Sequence, residues 1–91
     1  MDQAPGILKK VPPKYPYTAR RRNITGQVLV RFLVNEDGAV TRPAILEAEP
    51  RGVFEKAVLQ ALNHWRFTPG YFEGKPVPTW VVLPIRFNLS G

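Results

Sequence analysis

Ninety-one residues suffice for one domain, and a chain of this length hides roughly 60–65% of its unfolded surface, enough for one modest core. The lack of cysteine excludes a disulfide framework and a thiolate metal site, and a single histidine leaves no nitrogen set for a transition metal. The net charge of +6 is concentrated in the first 22 residues, where Lys9, Lys10, Lys14, Arg20, Arg21 and Arg22 face Asp2 alone. A basic arm on a near-neutral domain suggests an anionic neighbour: an acidic protein surface, cell-wall polymer, lipid headgroups or nucleic acid. The plain alternative is a solvated tail. No apolar run approaches the ~20 residues of a membrane span, and no signal peptide is visible. Met1 followed at once by Asp2, Gln3, Ala4, Pro5 and Gly6 reads as the cut end of a longer chain.

Residues 1–14 hold Pro5, Gly6, Pro12 and Pro13 and read as the end of a linker with an extended, polyproline-like course. Tyr15-Pro16 starts a short helix, about Pro16 to Asn23, because proline at the first helical position gives up a donor that is unpaired anyway. Tyr15 and Ala19 face inward, and Asn23 and Gly26 bracket the end. From Gln27 the period becomes two. Val28, Val30, Phe32 and Val34 share one face, while Gln27, Leu29, Arg31 and Leu33 share the other. Asn35-Glu36-Asp37-Gly38 is a hairpin connection with Gly38 at its left-handed position. The return strand, about Ala39 to Glu47, is irregular. Val40 and Ile45 share a face only across a bulge, and Pro43 cannot donate to a ladder.

Gly52 opens the second helix, with Glu55 as half of a capping box that lacks its hydroxyl partner. Phe54, Ala57, Val58, Ala61, Leu62 and Trp65 form an apolar stripe at helical spacing, and Thr68-Pro69-Gly70 ends it. Residues 70–78 read as a loop. Thr79 to Asn88 is the last strand, with Val81, Leu83, Ile85 and Phe87 on one face and Trp80, Val82, Pro84 and Arg86 on the other. Pro84 places it at a sheet edge. The order α-β-β-α-β gives an α+β fold: a three-stranded antiparallel sheet with both helices packed on its Val28/Val30/Phe32 face.

Catalytic chemistry finds no purchase. The only serine, Ser90, lies next to the C-terminus, and His64 reads as a helix-end residue. Glu47 and Glu49 share a strand face without a second wall to make a cleft. Gly74-Lys75 lacks the glycine spacing and following hydroxyl of a phosphate loop. The residues therefore point to a binding module, with no catalytic residue, cofactor or metal. Its long edge strand carries Trp80 and Val82 on the outer face; it is either covered by the proline-rich arm or open to an incoming peptide strand.

Tyr15-Pro16 with Ala19-Arg20, Gly26-Gln27-Val28 and Asp37-Gly38-x-Val40 resemble the first half of the TonB C-terminal domain family. Phe54-Glu55-x-Ala57, Trp65-Arg66-Phe67-x-Pro69 and Val82-x-Pro84-Ile85-x-Phe87 resemble the second half, in the same order and spacing. The resemblance implies that residues 1–14 end a proline-rich linker and residues 15–91 form the domain. It implies a periplasmic module hung from the inner membrane by an N-terminal helix outside this sequence. ExbB and ExbD would couple that helix to the proton gradient. The domain would bind the TonB box of outer-membrane TonB-dependent transporters of siderophores, haem or cobalamin. In the family the box adds as a strand to the last β-strand, which here comprises Thr79, Trp80, Val81, Val82, Leu83, Pro84, Ile85 and Arg86. The segment before the first helix also meets the box in the family, which here means Pro12, Pro13, Lys14 and Tyr15. The best-known members carry glutamines around that position, and Lys14 offers a charge where they offer amides. The resemblance further implies that shortened pieces can exchange strands into intertwined dimers; the 14-residue arm before Tyr15 makes a mostly monomeric domain the expectation. A TolA-like or signalling module on the same scaffold is the nearest competing reading. A nucleic-acid binder is disfavoured because the charge lies in the arm and not across a sheet or helix face.

Overall fold

A computed structural model describes residues 2–89. In chain order the elements are β1 (Gly6–Lys9), α1 (Tyr17–Arg21), β2 (Gly26–Val34), β3 (Val40–Glu49) and α2 (Glu55–Leu62). They continue with β4 (Arg66–Thr68), β5 (Gly70–Phe72), β6 (Lys75–Val77) and β7 (Thr79–Phe87). The main sheet runs β3-β2-β7 and is antiparallel throughout. The alternation of β2 decides how it sits: Val28, Val30, Phe32 and Val34 are fully buried. On that face they meet Ala19 of α1, Val58 and Leu62 of α2, and Phe54, Trp65, Phe67 and Phe87. This is the expected α+β sandwich of one sheet and two helices.

The hairpin forms as its residues dictate. Asn35 accepts hydrogen bonds on its side-chain oxygen from the backbone amides of Asp37 and Ala39, and Gly38 takes φ +84°. A side chain at Gly38 would meet the Phe67 carbonyl oxygen at 1.9 Å, and the Phe67 amide donates to the Gly38 carbonyl at 2.9 Å. The turn therefore doubles as a support for β4. In β3, the register against β2 slips twice, once at Leu46 and once at Arg42-Pro43, where Arg42 has φ +50°.

Several expected boundaries are corrected. The first helix occupies only Tyr17–Arg21, with Pro16 as its cap residue, because Asn23 turns left-handed at φ 55°. The arm, read as a linker, pairs as β1 with β4 across Gly6↔Thr68 and Ile7↔Phe67. Pro12 and Pro13 stay outside any strand. The second helix begins at Glu55 and ends at Leu62, several residues inside the expected span. Trp65 completes its apolar stripe from beyond the helix, and Arg66–Thr68 is strand rather than helix tail. The expected loop 70–78 contains the hairpin β5-β6, turned by Glu73 (φ 51°) and Gly74 (φ 77°). The arm also reaches this hairpin: the Asp2 amide donates to the Tyr71 carbonyl at 2.8 Å, and the Tyr71 amide to the Gln3 carbonyl at 2.9 Å.

Glu55 caps its own helix by accepting from the Gly52 amide at 2.8 Å. That hydrogen bond is the main influence holding its carboxyl below the ordinary value of 4.5; the nearby backbone amide of Glu55 itself and, more weakly, those of Val53 and Phe54 act the same way, and burial opposes them. A depressed carboxylate contributes stability above its unfolded pKa and loses it as pH falls through the folded value. Glu55→Gln should thus destabilise the domain near neutral pH, with the difference from wild type shrinking towards about pH 3. Denaturant titrations at the two pH values measure it, and a difference constant with pH would contradict the capping role.

Candidate functional site

The candidate site is the free side of β7. Nine consecutive residues of β7 pair with β2 without a register shift, from Gly26↔Phe87 to Val34↔Thr79. No described strand lies beyond it. Successive residues of a strand alternate in both side-chain face and backbone direction. Val81, Leu83, Ile85 and Phe87 turn to the core, whereas Trp80, Val82, Pro84 and Arg86 are exposed. Because Pro84 has no N–H to give to an unbroken ladder, the bonds to β2 are assigned to the first set and the open side to the backbone groups of the second. Pro84 fits this alternation, because a proline is tolerated where its missing N–H would face away from the partner strand.

The sheet has a second edge, and the comparison between the two is informative. On β3 the two bulges and Pro43 break the row of donors and acceptors and twist it out of line. On β7 the row is straight and interrupted at a single donor. Beside it, Trp80 and Val82 are 50% and 51% exposed. The Arg31 guanidinium of β2 lies 4.7 Å from the Trp80 ring centroid and fixes the ring's posture. Sequence reasoning did not single out Arg31; its position on the outer face of β2, the face Trp80 shares, was the available signal.

The structure separates the two halves of the sequence-predicted site. Tyr15 joins β7 at its C-terminal end: its ring meets Phe87 and Phe54 edge-on at 5.6 and 5.5 Å. Its hydroxyl donates to the Ile24 carbonyl. Phe54 and Phe87 stack at 4.1 Å, so Tyr15 acts as a core wedge that seats the end of β7. Pro12 and Lys14 instead line a depression of about 400 Å³ against Ala57, Gln60, Ala61, Asn63 and His64, mostly on α2. Pro13 is half-buried between them. The arm covers β4 and not β7, which answers the question of what hides the edge. Cations of the N-terminal region rest on aromatic faces, among them Lys10 of the arm over Trp65 at 5.5 Å and Arg20 of α1 over Tyr15 at 5.3 Å.

Among the described residues there is no cluster of His, Asp and Glu suited to a metal ion, and no helix is long and apolar enough to cross a membrane. What the arrangement can do chemically is donate and accept main-chain hydrogen bonds along β7.

Known proteins share this architecture. Residues 11–89 match the family described as Gram-negative bacterial TonB protein C-terminal. The chain is 39% identical to Protein TonB of Escherichia coli K12 over 87 residues, which is 96% of this chain and 34% of that protein. It is 30% identical to Protein TonB of Vibrio cholerae over 91 residues, which is all of this chain and 37% of that protein. The chain thus spans about a third of the length of these relatives. A solution structure of the Pseudomonas aeruginosa TonB C-terminal domain superimposes with a TM-score of 0.83 at 33% identity, covering 99% of this chain and 91% of that one. A TonB protein of Vibrio anguillarum gives 0.71 at 26% identity, covering 99% and 86%. The family is non-enzymatic, in keeping with a site made of backbone. With 79 consecutive residues matched and the fold shared from end to end, the chain belongs to the TonB C-terminal domain family.

Proposed function

We propose that this domain is the periplasmic binding end of a TonB-type energy transducer, and that it takes the TonB box of an outer-membrane transporter as an added strand on β7. The observation that carries this reading is the unbroken outer edge of β7 from Trp80 to Arg86, with no described strand beyond it, set against the bulged edge of β3. Main-chain bonding supplies most of the grip and Trp80, Val82 and Arg86 line the outer face of the incoming strand, so box sequences can vary. Tyr15 acts from beneath by fixing Phe87. Lys14, with Pro12 and Pro13, offers a separate contact along α2 for residues flanking the box. The basic arm suits an anionic surface such as peptidoglycan. In the whole protein an inner-membrane anchor working with ExbB and ExbD would deliver energy from the proton gradient, for uptake of siderophores, haem or cobalamin.

The test is an NMR titration of the labelled domain with a peptide of about eight to ten residues carrying a TonB box, long enough to match a typical strand. Amide shifts concentrated at Trp80, Val82 and Arg86 are expected, with smaller ones near Tyr15. Shifts centred on β3, or none with boxes from several transporters, would overturn the assignment and leave the partner as another envelope component.

A further inference from the structure

An edge that is kept open for a foreign strand is equally open to its own copy. Trp80 and Val82, both half-exposed beside the edge, make that hazard concrete. Two β7 strands can meet antiparallel about a two-fold axis, and the residues facing outward, Trp80, Val82, Pro84 and Arg86, then decide the outcome. We propose that Pro84 is the specificity-determining residue of this edge, admitting a foreign strand while disfavouring a second copy of the chain.

The argument is one of counting donors. Beside a peptide strand, Pro84 withholds one hydrogen bond. Across a two-fold axis each copy brings its own Pro84, so the self-pair loses two. Centring the axis on Leu83 sets each Pro84 against the partner's Val82; centring it on Pro84 brings the two prolines face to face. Sliding the strands until Pro84 leaves the overlap keeps only Trp80 and Val82 for pairing at one end, or sets Arg86 against Arg86 at the other. Every register therefore either loses both donors, keeps only a short overlap, or sets like charges together. With each net hydrogen bond worth roughly fivefold in an equilibrium constant, the proline weakens self-pairing about 25-fold and peptide capture about fivefold. The other edge is guarded differently, by two bulges together with Pro43, which already disrupt a partner strand. The inner side of β7 is unaffected, since its nine-residue ladder with β2 runs through Pro84 unbroken.

This inference rests on the reading of β7 as the docking edge, and the experiment separates the two. Pro84→Thr restores the donor with a residue that suits a strand. Sedimentation equilibrium on wild type and variant measures self-association, and a box-peptide titration measures capture. Self-association of the variant should tighten about 25-fold and peptide affinity about fivefold. The new dimer should protect the Trp80 and Val82 amides from exchange, and adding Val82→Lys to the variant should return it to monomer. The proposal is overturned if Pro84→Thr stays as monomeric as wild type up to millimolar concentration. It also fails if the variant associates through amides elsewhere, or if capture gains as much as self-association. A wild-type domain that ignores the peptide would sink the docking reading alone, because the self-association comparison uses no peptide.

Discussion

Replacing Trp65 with alanine is expected to cost about 3–5 kcal/mol of folding stability, a large share of the ~5–14 kcal/mol available to a domain of this size. The ring is 1% exposed and lies against Phe67, with centroids 6.2 Å apart, below the buried face of β2. It also holds the arm, because its indole N–H donates to the Val11 carbonyl at 2.8 Å while Lys10 covers its face. Trp65→Phe divides these contributions: most of the apolar volume stays and the donor goes, for about 1–2 kcal/mol. Urea unfolding followed by far-ultraviolet circular dichroism measures both. Hydrogen exchange should show the amides of Gly6–Lys9 losing protection in the phenylalanine variant while β2 keeps its own. If the two variants lose equal stability, the hydrogen bond rather than the buried ring dominates, and the packing account of Trp65 is wrong.

The second large effect concerns binding. Val82→Pro should weaken capture of a TonB-box peptide by about tenfold, through one lost main-chain donor and a lost apolar contact. The ladder to β2 should survive, because the nitrogen of residue 82 faces the open side, as that of Pro84 does. Calorimetric titration gives the affinity and thermal unfolding the control. Unchanged affinity in a stable variant would mean that the partner is held by side chains or by another surface.

The sequence was most legible where a period persists. Nine residues of strict alternation in β2, and the stripe from Phe54 to Leu62, could belong to only one kind of element each, and both elements formed, the helix shorter than expected. Pro84 marked an edge because proline chemistry is local. Strands β1, β4, β5 and β6 escaped notice because three or four residues carry no measurable period and sit among prolines and glycines. The partners β1 and β4 lie up to 62 residues apart, at Gly6 and Thr68, which no local pattern encodes. Trp65 was misleading for a related reason. It satisfies the helical spacing of α2, yet the chain leaves the helix at Leu62 and the ring returns to the same core from outside. The candidate site followed the same division. The edge position of β7 was readable from that strand alone, whereas whether the arm covers it, and how Pro12 and Lys14 lie against α2, depends on how the arm crosses the domain.

The docking of the arm gives the domain a mechanical character. Every residue of β1 is exposed, its ladder to β4 is short, and the contacts of Asp2 and Gln3 with Tyr71 lie farther out along the same arm. A load that lifts the chain from its N-terminal side would open these bonds one at a time, from Asp2 inward. The freed segment between Gln3 and Val11 would have a contour of at most roughly 30 Å, and it would peel away before the tension reached Trp65 and the core. A strand gripped along β7, pulled lengthwise, would load all its bonds together. If β7 takes a partner strand as proposed, the arm would be the compliant spring of the assembly and the β7 edge its stiff clamp, so slack would be taken up before the grip is tested.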